Sequence, residues 1–463
     1  MSHATGEELL EFLALHPKIA SFDLLLPDIN GILRGVRASR DDMRGIFESG
    51  AYMSASTMLL DSRGVLPDGL SIGLRDGDPD YCCLPVSGTL APVPWAMRPM
   101  GQCLLQMHYN TSTPYHYDSR YVLQRVLQRF RAMNLTPVVA LELEFYLLDG
   151  SDSGELRPQP RTTRIPGTSI RQLAAQLHSL DDLYEMDAFL ADVESTCQAQ
   201  RVPIGNIMSE GSPGQYEINL HHVDDAEMAC DHALLLKRIV RGVARRHDMA
   251  ATFMAKPFAE LDGSGMHMHV SLLDGEGRNV FSGNPPSGAP GDYSPDLRFA
   301  IGGLQAAMSD AQAIMAPNAN SFRRFNAASY VARSQNWGVN HRQVAIRIPP
   351  SDDANLRFEY RSAGADCNPY LALAAVLAGV LHGLTRSIEP SPMVNESQII
   401  DGDVVTIAPQ WGEALTQFES GKILPEYLGA EFCKTYAQCR RLEAEEYYSQ
   451  VPDLDYSWYL RNI

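Results

Sequence analysis

Several short runs along the chain alternate apolar and polar residues with a period of two, the pattern of a half-buried strand. In ALELEFYLL (140–148), Leu141, Leu143, Phe145 and Leu147 take one face, and Glu142 and Glu144 share the other. QYEINL sets Glu217 and Asn219 opposite Tyr216, Ile218 and Leu220. MHMHVSLL sets His267, His269 and Ser271 opposite Met266, Met268 and Val270. VAIRIPP places Arg347 between Ile346 and Ile348, and LRFEYRS sets Arg357, Glu359 and Arg361 opposite Phe358 and Tyr360. Between these runs the period changes to that of helices. DSRYVLQRVLQRFRAM has Asp118 as N-cap, and NPYLALAAVLAGVLHGL has Asn368 as N-cap with Pro369 at the first helical position. DHALLLKRIVRGVARRH and FAIGGLQAAMSDAQAIM are further helical segments. The pattern predicts an α+β fold: an antiparallel sheet with one face on helices and the other polar.

Nearer the N-terminus the elements are shorter. A helix over residues 7–14 precedes IASFDLLLPDINGILRGVRAS, which reads as a hairpin turning at PDING. The expected division is a small β-rich domain over 1–110 and a larger domain over 111–463, with 151–169 as an exposed polar loop. The 463 residues suffice for a large core. A net charge of −18 argues against a nucleic-acid backbone or an anionic membrane as partner. No apolar run of about 18 residues suggests a membrane helix. The first 20 residues lack a secretory pattern, and the eight cysteines form no CxxC pair, so a reducing cytoplasm is expected.

The polar faces carry Glu, His and Arg with almost no Lys, which is unusual for a merely solvated surface. Glu142, Glu144, Glu210, Glu217 and Glu359 in one cleft would repel one another without cations. Five carboxylates with one imidazole, His267, suit Mg²⁺ or Mn²⁺ better than zinc. Two such ions beside Arg324, Arg342, Arg347, Arg357 and Arg361 suit phosphoryl transfer. Neither GxxxxGK[ST] nor GxGxxG occurs, so ATP would sit in a metal–arginine cleft.

Six segments in order, LELEFYLLD, SEGSPGQYEINL, ATFMAKPFAELDGSGMHMHVSL, APNANSFRRF, NHRQVAIRIP and RFEYRSAGADCNPYLALAA, resemble the glutamine synthetase family. The resemblance implies an N-terminal β-grasp domain, a catalytic half-barrel and stacked hexameric rings with sites between neighbouring subunits. It implies that Glu144, Glu210 and Glu217 hold a first metal, and Glu142, His267 and Glu359 a second on the phosphates of ATP. His222, His269 and Ser271 match nucleotide contacts, although His222 reads equally as a surface residue. Arg342, Arg347 and Arg357 match phosphate-side arginines; Arg357 is otherwise a scaffold partner for Glu359. Arg324, Arg361 and the loop around Gly263 match the glutamate site, which makes Arg324, Arg342 and Arg361 the catalytic arginines. Cys82 and Cys83, and Met254, Met266 and Met268, read as packing residues.

Two acids of that family's ammonium site are missing: Tyr330 and Ser54 stand at the nearest matches. A Lys expected before the RFEYR strand is Ala354. The pattern resembles the γ-glutamyl-amine branch, in which ATP, two divalent ions, glutamate and a primary amine such as a polyamine meet. Asp61, or the aromatic residues Tyr52, Tyr330 and Trp337, are candidates for the amine pocket. The alternatives are an ammonia-using glutamine synthetase and a catalytically silent assembly protein on the same fold.

Overall fold

The computed structural model describes residues 3–73, 75–150, 158–165, 167–171, 177–283, 293–325, 331–394, 407–461 and 463. The first sheet contains β1 (Ser21–Pro27), β2 (Leu33–Ser39), β3 (Ala51–Ser54), β4 (Asp80–Pro85), β5 (Ala91–Pro92), β6 (Met100–Asn110) and β7 (Thr113–Pro114). Its order is β2-β1-β6-β4-β3, with β5 and β7 also on β6. The hairpin at PDING is present, and β1 then pairs in parallel with β6. The sequence reading missed β6. Its face alternation is blurred because Gln102, Gln106 and His108 are themselves buried. Gln102 bonds Gln200 at 3.0 Å and Gln106 bonds Gln124 at 3.0 Å, so these amides tie the sheet to the rest of the chain.

The second sheet comprises β8 (Thr136–Asp149), β9 (Ile204–Ser209), β10 (Gln215–Leu220), β11 (Met249–Thr252), β12 (Met266–Leu273), β13 (Trp337–Val339), β14 (Ile346–Ile348) and β15 (Phe358–Tyr360). The order is β13-β14-β15-β12-β8-β10-β9, with β11 also against β8. Every pairing is antiparallel except β13 with β14, a departure from the expected wholly antiparallel sheet. Leu141, Leu143, Phe145, Ile218, Met266, Met268 and Phe358 are completely buried on the helix side. Met254 is 46% exposed, so it is not the core residue expected.

The helices form where expected. Asp118 accepts from the Tyr121 N–H and starts Ser119–Ala132. Ala226–Arg246 packs on β8 and β11, and Pro295–Met315 packs on Pro369–Arg386. That last pair approaches closely because a Cβ at Gly303 would lie 2.1 Å from the Gly379 carbonyl oxygen. Pro369–Arg386 is long and apolar enough to cross a membrane by length and composition alone, a property that a buried core helix shares. It is 78% buried inside the protein, as the central helix of a core.

Asn368 also joins the two sheets' surroundings. Its Oδ1 caps the helix by accepting from the Tyr370 N–H at 3.0 Å. Its Nδ2 donates to the Asp28 carbonyl at 3.0 Å and to Ser119 Oγ at 2.9 Å, which seats the PDING turn on the helix end. Gly31, at φ +73°, lets the turn come this near: a Cβ there would lie 3.1 Å from Asn368 Cα.

The expected exposed loop over 151–169 is only partly so. Residues 151–157 and 166 lie outside the described residues. The stretch from Gln159 folds back on β8: Arg161 N–H donates to the Leu147 carbonyl at 2.7 Å, and Thr162 and Thr163 are buried. An ion pair of 2.8 Å between Arg161 and Asp149 fastens it.

Candidate active site

Strand register collects the site. Glu144 on β8 stands opposite Glu217 on β10, and Glu142 stands between Asn219 on β10 and His267 on β12. One residue pair further, His269 on β12 stands opposite Glu359 on β15, which in turn faces Arg347 on β14. Period-two geometry points all these side chains to one face. All of them except His269 border a cavity of ≈ 440 Å³, within the usual range for a small-molecule site. Glu142, Glu144, Glu210, Glu217, His267 and Glu359 line it together with Gly263, Arg324, Arg342, Arg347 and Arg361.

Two groups of donors lie close enough to share a cation: Glu142, His267 and Glu359, and Glu144, Glu217 and His267, with ligand atoms within 4.8 Å of one another in each. The first is the trio expected for the second metal. The second has His267 where Glu210 was expected; Glu210 borders the cavity outside that tight group.

The electrostatics divide these carboxyls into two kinds. Burial opposes charge on Glu142, but hydrogen bonds from His267 Nδ1 at 3.1 Å and His269 Nε2 at 2.8 Å prevail and hold its pKa well below the ordinary value. Arg357 Nε donates to His269 Nδ1 at 3.2 Å, which leaves the His269 proton on Nε2, facing Glu142. Glu359 is also held low against burial. Arg361 contacts it, Arg347 Nη1 lies 2.8 Å from it, and His267 lies 3.6 Å from it.

Glu217 and Glu210 behave oppositely. Burial and then the charges of Glu142, Glu144 and Glu210 push Glu217 up to about 9. Burial and then the charge of Glu144 push Glu210 up to about 7. Both become favourable anions only beside added positive charge. This donor set therefore fits a hard divalent cation bound through oxygen.

On the far wall Arg324 and Arg361 are buried, with 3% and 7% exposure. Gly263 and Gly265 form the cradle beside Arg324. A Cβ at Gly263 would strike Arg324 Cγ at 2.7 Å, and one at Gly265 would lie 3.0 Å from Arg324 Nη2. The Gly265 N–H donates to Glu144 Oε2 at 2.7 Å, which ties the glycine loop to the carboxylate row. Asp366 lies beneath, accepting from Asn318 at 2.8 Å and Ser321 at 2.6 Å. Those bonds fix the short helical turn Ser321–Arg324 that carries Arg324.

Other expectations fare differently. Arg357 is not the scaffold partner of Glu359; Arg347 and Arg361 are, because they project from the adjoining positions with reach to its oxygens. His222 is exposed beyond β10 and does not border the cavity, and neither do Ser271 and Arg357. Asp61 is unsuited to an amine: it is 1% exposed and spent on the N–H groups of Arg63 and Val65 and the Arg63 guanidinium. Trp337 is buried and donates to the Ser391 carbonyl, while Tyr52 is 64% exposed on β3. Tyr330 lies outside the described residues. Leu177, His178, Met208 and Gln215 border the cavity unforeseen. Of these, only Gln215, the first residue of QYEINL, carried a sequence hint.

Residues 116–459 match the glutamine synthetase catalytic domain. Over 459 residues the chain is 39% identical to a γ-glutamylputrescine synthetase of Escherichia coli (strain K12), covering 99% of this chain and 95% of that protein. It is 30% identical over 470 residues to a glutamate–isopropylamine ligase of Pseudomonas sp, covering 99% of each. A solved complex of GmaS with ADP superimposes with a TM-score of 0.82 at 26% identity, over 98% of this chain and 99% of that one. On the matched domain and the whole-length similarity, this chain belongs to the glutamine synthetase family.

Proposed function

We propose that the chain is an ATP-dependent ligase joining the γ-carboxylate of glutamate to a primary amine, a polyamine or a simpler alkylamine, through a γ-glutamyl phosphate. One observation carries this reading. A single cavity sets a row of carboxylates, two of them with pKa values raised until a cation arrives, against Arg324, Arg342, Arg347 and Arg361. A cleft of that charge pattern holds metal-bound phosphates on one side and a carboxylate on the other. The amine, rather than ammonium, is supported by Tyr330 and Ser54 in place of acids and by the two amine ligases among the relatives.

In this reading Arg324 and Arg361 grip the glutamate, with the Gly263 loop closing over it. Arg342 and Arg347 face the transferring phosphoryl group, and Arg357 orients His269 at the nucleotide end beside Ser271 and His222. Glu144, Glu210 and Glu217 would hold one divalent cation, and Glu142, His267 and Glu359 another. Mg²⁺ or Mn²⁺ bound there supplies positive charge against the phosphate oxygens. A γ-carboxylate oxygen forms a bond to the γ-phosphorus as ADP departs. The amine nitrogen then bonds to the carbon of the γ-carboxyl group, the bond from that carbon to the phosphate oxygen breaks, and the two protons the ammonium sheds pass to a base and to the departing phosphate.

The same reading extends to a β-grasp unit over 1–110, a catalytic unit over 111–463 and a stacked-ring assembly. Exposed Leu454, Trp458 and Leu460 near the C-terminus are surface available for subunit contact. Eight buried, unpaired cysteines support a reducing cytoplasmic setting. The test is glutamate-dependent ADP release with ammonium, putrescine, isopropylamine and ethanolamine as acceptors. An amine is expected to exceed ammonium in kcat/KM; equal or better use of ammonium overturns the amine assignment.

A further inference from the structure

Four arginines gather where the first sheet meets the helix Ala226–Arg246. Arg37, Arg98, Arg238 and Arg245 border a cavity of ≈ 590 Å³, a size that suits a small molecule. It shares no bordering residue with the catalytic cavity. Among the described residues the only acid on it is Asp23, so four guanidiniums face one carboxylate. In a chain of net charge −18 this concentration of positive charge runs against the composition. Surface arginines normally spread apart because like charges repel. Here β2, the loop before β6 and the helix, distant in sequence, each send arginine to the same place.

Strand register builds one wall. Asp23 on β1 pairs with Arg37 on β2 and with Gln102 on β6. Arg238 crosses this row from the helix: its Nη2 donates to Asp23 Oδ2 at 2.7 Å and its Nε to Gln102 at 2.8 Å. Arg37 Nε donates to Asp23 Oδ1 at 2.8 Å. Both oxygens of the one carboxylate are thus engaged. Arg98 and Arg245 have no hydrogen bond or ion pair among the described residues. Arg245 lies two turns beyond Arg238, on the same helix face. Burial lowers the Arg238 pKa, and the charges of Arg245 and Arg37 lower it further than Asp23 can offset. Trp95 supplies an apolar wall. Its ring lies against Gly242, where a Cβ would come 2.5 Å from it, and the Arg238 guanidinium is 5.6 Å from the ring centre. Val93 and Met100, each 5% exposed, continue that wall. A bare inorganic ion would leave this apolar surface unused.

We propose that this cavity is a second ligand site, which takes a small organic dianion: a dicarboxylate or a phosphate monoester. Arg98 and Arg245 grip the acid groups, Arg37 and Arg238 add to the field, and Trp95 covers the carbon part. The helix that carries Arg238 and Arg245 packs on β8, the strand of Glu142 and Glu144, so an occupant ties the first sheet to the catalytic strand. The inference stands apart from the ligase reading. The test is isothermal titration of succinate and of glycerol 3-phosphate, at low ionic strength, into the full chain holding Mg²⁺, ADP and glutamate. At least one of the two should bind once per chain. Arg98→Gln and Arg245→Gln, both at exposed positions, should each weaken that binding about tenfold or more, the scale of one lost charge-assisted pair. Arg361→Lys, in the catalytic cavity, should leave it within about threefold. Binding of succinate alone makes this a dicarboxylate site, and binding of glycerol 3-phosphate alone a phosphate-ester site. No binding of either at millimolar concentration, an affinity that Arg98→Gln and Arg245→Gln leave unchanged, or an equal loss in Arg361→Lys overturns the assignment.

Discussion

Glu217→Gln isolates the electrostatic strain on which the metal assignment depends. In the protein stripped of divalent ions, burial and the neighbouring carboxylates raise Glu217 from 4.5 to about 9. Between those values the folded state keeps a proton that the unfolded chain has released, so stability falls as pH rises. The slope is about 1.4 kcal/mol per pH unit for one group. Glu210, raised to about 7, adds its own slope only below that pH. From pH 7 to 8.5 Glu217 therefore contributes a loss of about 2 kcal/mol. At about 2.1 cal/mol/K of unfolding entropy per residue, 463 residues give about 1 kcal/mol/K, so the loss is roughly 2 °C in Tm. Differential scanning calorimetry in EDTA at the two pH values measures it. Wild type should lose about 2 °C more than Glu217→Gln across the interval, and saturating Mg²⁺ should abolish that difference. Parallel pH dependence of the two proteins in EDTA would refute the reasoning, because Glu217 would then be ionised without a cation.

Gly303→Ala should lower Tm by several degrees, because its methyl would collide with the Gly379 carbonyl at 2.1 Å between two core helices; calorimetry checks it. Glu443→Gln should cost about 3 kcal/mol or more, since it strands the Arg440 guanidinium, 2% exposed and paired at 2.9 Å. Replacing both by apolar residues should cost less, as denaturant unfolding would reveal. Arg324→Lys should raise glutamate KM at least tenfold, with a much smaller effect on ATP KM, because a point charge cannot reproduce the guanidinium fork; steady-state kinetics with each substrate varied separates the two.

The polar face of the second sheet was legible because period-two alternation survives in LELEF, QYEIN and MHMHV with few interruptions. What alternation could not supply was register. Arg357 and Arg361 flank Glu359 symmetrically in sequence, yet only Arg361 turns to it, and the second partner, Arg347, comes from the next strand. Strand β6 escaped notice because its buried amides look like surface residues until their partners, Gln200 and Gln124, are known. Asp61 looked available because two of the four hydrogen bonds to its carboxylate come from backbone N–H groups, which leave no trace in residue type. The 18-residue core helix is as apolar as a membrane span for a related reason: a helix surrounded by protein needs the same apolar surface as one surrounded by lipid.

The central claim is that ATP activates the glutamate γ-carboxylate before the amine attacks. Glutamate labelled with ¹⁸O in that carboxylate tests it directly, with putrescine as acceptor and the released phosphate analysed by mass spectrometry. One labelled oxygen should be transferred to phosphate for each amide formed; amide formation with unlabelled phosphate would rule out a γ-glutamyl phosphate.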